Sequence, residues 1–280
     1  MSDPLLTFLH VAKTGGRSVE TALRSTYGLR YVHAIPWRRP LGPGEEGRPL
    51  ATATYDHRDF RRLQRLSPGM RAVGGHALTV WSGLHELRPV RYFAFLRDPV
   101  RRMASHYQFH RTTVSRPLDL DAWLRWQEPR EHQLKFFSRS ADPQEAIETI
   151  QRHGIFIGLL EEFDASLVLL QRLLAPELAL GYRRTNRAAN NEVARALLDD
   201  PKERARLATM VRGEQVLYDW VRSTWYPSQV ERYGAGLESA VARLQAEPEA
   251  GFKRWNDALN RACVRFWFNP WVRAHRRRQA

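Results

Sequence analysis

His10-Val11-Ala12-Lys13-Thr14-Gly15-Gly16-Arg17-Ser18 stands between the apolar run Leu5-Leu6-Thr7-Phe8-Leu9 and the helical pattern Val19-Glu20-Thr21-Ala22-Leu23. An apolar strand, a Lys-Thr-Gly-Gly turn and a helix start make an anion cradle. Glycines let backbone N–H groups approach the ligand, the helix N-terminus adds a partial positive charge, and lysine supplies a full one. Only four of the 44 basic residues are lysines, at positions 13, 135, 202 and 253. A chain that nearly always uses arginine keeps a compact ammonium here, where a point charge on a flexible stem differs from a planar fork. The order is not that of a Walker loop, because Lys13-Thr14 precedes Gly15-Gly16 instead of following the last glycine. Taken alone, the stretch also fits an ordinary glycine-containing turn.

Outward from this turn, strands and helices alternate. Residues 5–11 read as a buried strand and 17–27 as a helix; 29–34 suggest a second strand, and the Pro- and Gly-rich stretch 36–50 an irregular connection that could rim a substrate site. A helix is expected over 56–66 and a strand over 70–75, ending in Gly74-Gly75-His76. The clearest strand is 90–96, followed by Arg97-Asp98-Pro99 and a helix through about residue 111. Asp98 is a natural N-cap and Pro99 a natural first helical residue. A strand over 154–160, a helix over 161–174 and helical patterns over 193–198, 206–225 and 237–244 complete the reading. The expected fold class is α/β: a three-layer sandwich around a central, mainly parallel sheet, with ligands at the carboxyl ends of its strands. The expected organisation is an α/β domain over 1–230 and a basic helical extension over 231–280.

The net charge of +14 and a sequence pI near 10.6 attract phosphate, sulfate, anionic glycans, nucleic acid or acidic membranes without choosing among them. Cys263 is the only cysteine, which excludes an intrachain disulfide and suits a reducing compartment. The first apolar run is too short for a signal-peptide core, and no stretch reaches the roughly 18–20 apolar residues of a membrane span. A cytoplasmic protein is therefore expected. Aromatic and basic residues interleave, as in Trp37-Arg38-Arg39, but no nucleic-acid-binding motif appears, and no nucleic-acid partner is expected.

A second constellation joins the first. In Phe93-Ala94-Phe95-Leu96-Arg97-Asp98-Pro99-Val100-Arg101-Arg102-Met103-Ala104-Ser105-His106-Tyr107, Arg97 can grip a phosphate bidentately, and Ser105 adds a hydroxyl about two helical turns later. Arg97 could equally pair with a carboxylate. Together the two segments resemble the sulfotransferases that use 3′-phosphoadenosine 5′-phosphosulfate, particularly those related to the heparan sulfate 2-O- and 6-O-sulfotransferases, which have a P-loop-type fold. The resemblance extends over about residues 5–225. It takes in Gly74-Gly75-His76, Ile157-Gly158-Leu159-Leu160-Glu161-Glu162-Phe163-Asp164 and the segment from Glu214 to Trp220. It implies that Lys13, Thr14, Gly15, Gly16, Arg17 and Ser18 hold the 5′-phosphosulfate and that Arg97 and Ser105 hold the 3′-phosphate. His76 would then take the proton of an acceptor hydroxyl, with no metal required, and Arg184 and Thr185 would contact the nucleotide. Ala12 stands where the family commonly has proline, and Arg17 where it has a small hydroxyl residue. The acceptor implied is a carbohydrate, a glycolipid or another hydroxylated molecule. Glu86 is a reserve base, and His10 and His106 suit packing roles beside the motifs.

Two other functions remain open from the residues alone: an ATP- and Mg²⁺-dependent phosphotransferase, and a non-enzymatic basic module for glycan, nucleic acid or membrane. Toward the C-terminus, Phe252, Trp255, Leu259, Ala262 or Cys263 and Phe266 recur at helical spacing, with Lys253, Arg254, Arg261 and Arg265 on other faces. Such a stripe packs against the parent domain, its more common fate, or lies on an anionic membrane through residues 252–280.

Overall fold

Every side chain of β1 (Leu5–Leu9) is buried, as befits the middle of a sheet covered on both faces. The computed structural model describes residues 3–34, 55–126, 131–181 and 191–271. β1 passes through the Lys-Thr-Gly-Gly turn into α1 (Gly16–Tyr27), and the chain returns as β2 (Tyr31–His33). α2 (His57–Leu66) precedes β3 (Ala72–Gly75), and a single turn, α3 (Leu84–Leu87), precedes β4 (Val90–Leu96). Between β4 and β5 (Phe156–Leu159) lie α4 (Pro99–Thr113), α5 (Leu120–Arg125) and α6 (Pro143–His153); α7 (Phe163–Leu173) follows. The remainder is helical: α8 (Glu192–Asp199), α9 (Pro201–Met210), α10 (Arg212–Trp220), α11 (Tyr226–Tyr233), α12 (Leu237–Ala246) and α13 (Arg254–Cys263). Five-residue π-helical segments, Val221–Trp225 and Val264–Phe268, follow α10 and α13.

The strands lie in the order β2-β3-β1-β4-β5, and every pairing is parallel. The α/β expectation therefore holds, with helices enclosing a parallel sheet. After β1 the chain builds the sheet toward β2 and β3, then crosses back to β4, so the direction of winding changes beside β1. Open sheets leave a ligand crevice at such a switch point, outside the carboxyl ends of the strands. The turns after β1 and β4 both open there.

Local chemistry sets the element ends. The Asp98 carboxylate accepts from the Arg101 N–H at 2.8 Å, with Pro99 as the first residue of α4, and Asp56 and Asp59 cap α2 reciprocally. α6 was not anticipated, although Asp142-Pro143 opens it with the same chemistry and Gly154 closes it in the left-handed region at φ 56°. The single helical pattern expected over 206–225 is divided, because the backbone at Val211 leaves helical geometry between α9 and α10. The irregular stretch 36–50 lies outside the described residues.

Among the described residues, carboxamide side chains meet the backbone at both outer strands of the sheet. Buried Gln229 on α11 takes the Ile157 N–H of edge strand β5 at 3.0 Å and donates to the Ile157 carbonyl at 2.8 Å. At the opposite edge, Asn260 on α13 donates to the carbonyls of Gly28 and Tyr31 at 2.7 and 2.8 Å.

α13 docks with the reverse of the expected polarity. Its buried residues are Asp257 and Asn260. Asn256 donates to the Ser25 carbonyl at 2.9 Å, and Asp257 receives Arg24 Nε at 2.7 Å. The last carbonyls of a helix have no partner within it, and α13 satisfies those of α1 with asparagines. The stripe of Trp255, Leu259 and Phe266 consequently faces solvent. Packing of that stripe on the parent domain is thus overturned, because the shared interface asks for hydrogen bonds instead of apolar area. α12 and the end of the second π segment do join the main core, through buried Leu244 and Phe268.

Candidate functional site

The loop after β1 combines an unusual backbone with open donors. Lys13 sits in the left-handed region at φ 70°, where a non-glycine residue is strained, and Gly15 follows at φ 83°. Thr14 is buried and anchors the loop by donating its hydroxyl to the Val11 carbonyl at 2.9 Å. A Cβ on Gly16 would lie 1.9 Å from His10 Nε2, so the loop passes the His10 ring more closely than any side chain permits. No side chain caps α1, which leaves its first N–H groups for an anion. The Ser18 N–H is an exception to the expectation. It donates to the Gly15 carbonyl at 3.0 Å, so Ser18 has its hydroxyl to offer a ligand.

Lys13 Nζ lies 4.6 Å from the centre of the Phe109 ring on α4. Desolvation, then the neighbouring charges of Arg97 and Arg17, lower its pKa. Three cations are thus held together at one wall, a field that an anionic ligand would relieve.

Arg97 ends β4 and is fixed through its backbone. Its N–H donates to Gln133 Oε1 at 3.0 Å, and its carbonyl accepts from Gln133 Nε2 at 3.0 Å. The same amide group donates to Glu214 Oε2 at 2.8 Å. Glu214 in turn faces Arg102 through two contacts of 3.2 Å, with both side chains fully buried. Carried on this scaffold, the Arg97 guanidinium donates to the Lys13 carbonyl at 3.4 Å, joining the two loops. Burial lowers the Arg97 pKa against the opposing pull of Glu161 and Asp98.

His76 follows β3 and stands on the cleft wall. Its Nδ1 lies 2.6 Å from the His10 carbonyl; since a carbonyl only accepts, Nδ1 carries the proton and Nε2 the lone pair. His76 is exposed to the cleft; local desolvation, reinforced by the adjacent His10 ring, lowers its pKa below the ordinary histidine range. The imidazole is therefore neutral near pH 7. The His10 and His76 ring centres are 4.0 Å apart, and His10 stacks on Phe8 at 5.0 Å.

Beneath these rings, Glu20 on α1 gathers donors from several elements. Its Oε1 takes Nδ1 of His10 at 3.2 Å, Nδ1 of His33 at 2.7 Å and the Tyr31 hydroxyl at 3.4 Å. Burial alone would raise the Glu20 pKa, but the His10 and His33 hydrogen bonds hold it well below the usual carboxylate range.

One cleft of about 1890 Å³ is lined by Lys13, Gly15, Gly16, Arg17, Ser18, Arg97, Ser105 and His76. That is roughly twice the upper size of a pocket for one drug-sized ligand, leaving room for two substrates. Thr14 contributes from below as an anchor. Arg184 and Thr185 lie outside the described residues. Glu86 is not among the lining residues; its carboxylate is 3.5 Å from His57 Nε2, which removes it as a base facing this cleft. His10, buried between Phe8 and His76 and bonded to Glu20, also borders the cleft. His106 lines it too, its pKa pushed down to about 3 by desolvation, then by Arg102 and Lys13.

The sequence reading missed His33, Phe109 and the Gln133–Glu214–Arg102 chain. Glu20 carried a usable signal, since a carboxylate among the apolar positions of a helix needs a buried partner.

No protein-family model and no curated protein matches this chain. Among solved structures it is similar to a sulfotransferase from Alicyclobacillus acidocaldarius, at 19% identity and a TM-score of 0.46, over 79% of this chain and 97% of that one.

Proposed function

We propose that the chain is a sulfotransferase moving the sulfuryl group of 3′-phosphoadenosine 5′-phosphosulfate to a hydroxyl of a carbohydrate or glycolipid, with 3′,5′-adenosine bisphosphate released. The observation that carries this reading is the convergence of two phosphate-type sites and one neutral imidazole on a single crevice. The loops holding Lys13 and Arg97 follow adjacent strands and touch through the 3.4 Å bond to the Lys13 carbonyl. A nucleotide with phosphates at both ends of its ribose needs two such sites close together. A single anion needs one.

The residues fit such a donor. Gly15 and Gly16 line the cleft at the uncapped start of α1, which suits the 5′ end. Arg97 and Ser105 on the neighbouring loop and helix suit the 3′-phosphate. When bound, the donor supplies a sulfuryl group attached to a phosphate leaving group.

Lys13, already desolvated beside two arginines, stabilises negative charge developing at the cradle. Charges fixed in a partly dry site act strongly and need little reorganisation. His76 offers Nε2 to the acceptor's proton. Its Nδ1–H bond to the His10 carbonyl holds the ring in the required tautomer and strengthens as the ring gains charge. Glu20 positions His10 from below.

The test has two parts. 3′,5′-Adenosine bisphosphate should raise the thermal midpoint of the purified protein more than ATP with Mg²⁺, and labelled donor should mark hydroxylated acceptors in an extract. A larger shift from ATP with Mg²⁺ would favour phosphoryl transfer. Salt-sensitive polyanion binding that survives Lys13→Ala and Arg97→Ala, without transfer, would favour a binding module.

A further inference from the structure

On α13 and the segment after it, Trp255 is 77% exposed, Phe266 74%, Trp267 50% and Leu259 40%. Trp255, Leu259 and Ala262 follow helical spacing, and Phe266 continues the stripe along the next turn. These side chains are not needed for docking, because the buried face is made by Asn256, Asp257 and Asn260. A contiguous apolar strip facing water marks a contact surface.

The strip has a basic border. Lys253, Arg254, Arg261 and Arg265 are exposed around it, and the Arg265 guanidinium lies 5.4 Å from the centre of the Phe266 ring. From Lys253 to Ala280 the sequence holds eight basic residues and one acidic residue, Asp257. That aspartate is buried against Arg24 and Arg261, and Glu249 pairs with Arg254 at 2.9 Å, so the border charge is partly offset and stays positive through Lys253 and Arg265.

We propose that this face rests on the surface of an anionic lipid bilayer. Indole and phenyl rings favour the level of the lipid headgroups, while flanking arginines meet their phosphates. No helix among the described residues is long and apolar enough to cross a membrane, so the contact lies in the plane of the interface. A second copy of the chain fits less well. The exposed parts of the four apolar side chains sum to about 500 Å², short of the ~800 Å² per partner typical of a stable dimer. A two-fold contact would also set arginine against arginine.

The test floats the purified full chain with vesicles of phosphatidylcholine alone and of phosphatidylcholine with phosphatidylglycerol. The expected result is at least tenfold stronger partition onto the anionic vesicles, weakening as salt rises. Combined Trp255→Ser and Phe266→Ser substitution should reduce it at least tenfold, with an unchanged circular dichroism spectrum and thermal midpoint. Arg254→Glu with Arg265→Glu, a second variant that leaves the apolar strip intact, should reduce it similarly. Equal partition onto both vesicle types, or undiminished partition of both variants, overturns the proposal. So does a dimer in light scattering that the aromatic variant converts to monomer, which assigns the face to a second copy.

Discussion

His76 Nδ1 donates to the His10 carbonyl at 2.6 Å, turning the opposite ring nitrogen into a lone pair that faces the cleft. Because desolvation and the His10 ring lower the His76 pKa, the base is unprotonated at neutral pH and somewhat below it. The kcat/KM for transfer should therefore lack the acid limb near 6.5 that an ordinary histidine gives. His76→Ala should lower kcat about 10²–10⁴-fold. A pH–rate profile of the wild type checks the first point; a tenfold fall between pH 7 and pH 5 would count against a neutral imidazole.

The same displacement bears on stability. A histidine whose folded pKa is depressed binds fewer protons folded than unfolded, so its contribution is complete above 6.5 and declines as pH falls toward 3. His76 and His106 both follow this course, and Glu20 adds to it below about 4.5. The urea midpoint should accordingly drop steadily from pH 7 to pH 4. An invariant midpoint over that range would contradict the lowered pKa of these groups.

Lys13 sets stability against activity. Its left-handed backbone, together with the nearby arginines, makes the native residue unfavourable where it stands. Lys13→Gly should raise unfolding free energy by about 1 kcal/mol while reducing transfer at least a hundredfold. Urea titration and a transfer assay on the same preparation read both effects.

Gly16→Ala places a methyl against the His10 ring, which is confined between Phe8 and His76. The cost should be about 1–3 kcal/mol, accompanied by weaker binding of 3′,5′-adenosine bisphosphate. Calorimetric titration with that nucleotide tests whether the loop, and not the fold alone, has been disturbed.

Glu214→Ala should destabilise the protein by about 3–5 kcal/mol, because it removes the carboxylate that faces the Arg102 guanidinium in a fully buried site. Replacing the pair together, with Arg102→Met and Glu214→Leu, should recover much of that loss. Urea unfolding of the single and double variants separates the two cases.

The legible parts of this molecule were those written in local chemistry. The Lys-Thr-Gly-Gly turn and Asp98-Pro99 each specify their backbone within a few residues, and the strands that lead into them are mostly apolar. The less legible parts depend on meetings across long separations. Gln133 reaches Arg97 across 36 residues and Glu214 across 81, and no spacing in the sequence announces either contact. Glu20 and His33 come from neighbouring elements but meet only once the sheet is laid down. In α13 the periodicity correctly gave a helix and an apolar stripe. It carried no information about which face the end of α1 would require, since unsatisfied carbonyls leave no mark on a neighbour's hydropathy.

The glutamine at the rim of β5 gives the sheet a defined width. A parallel sheet can in principle recruit strand after strand, including one from another molecule, wherever a rung is left vacant. Gln229 occupies one rung with both halves of an amide, behaving toward Ile157 as a sixth strand one residue long. Growth in that direction is stopped by a side chain, which protects a hydrophobic edge from templated self-assembly without spending a further stretch of polypeptide on it.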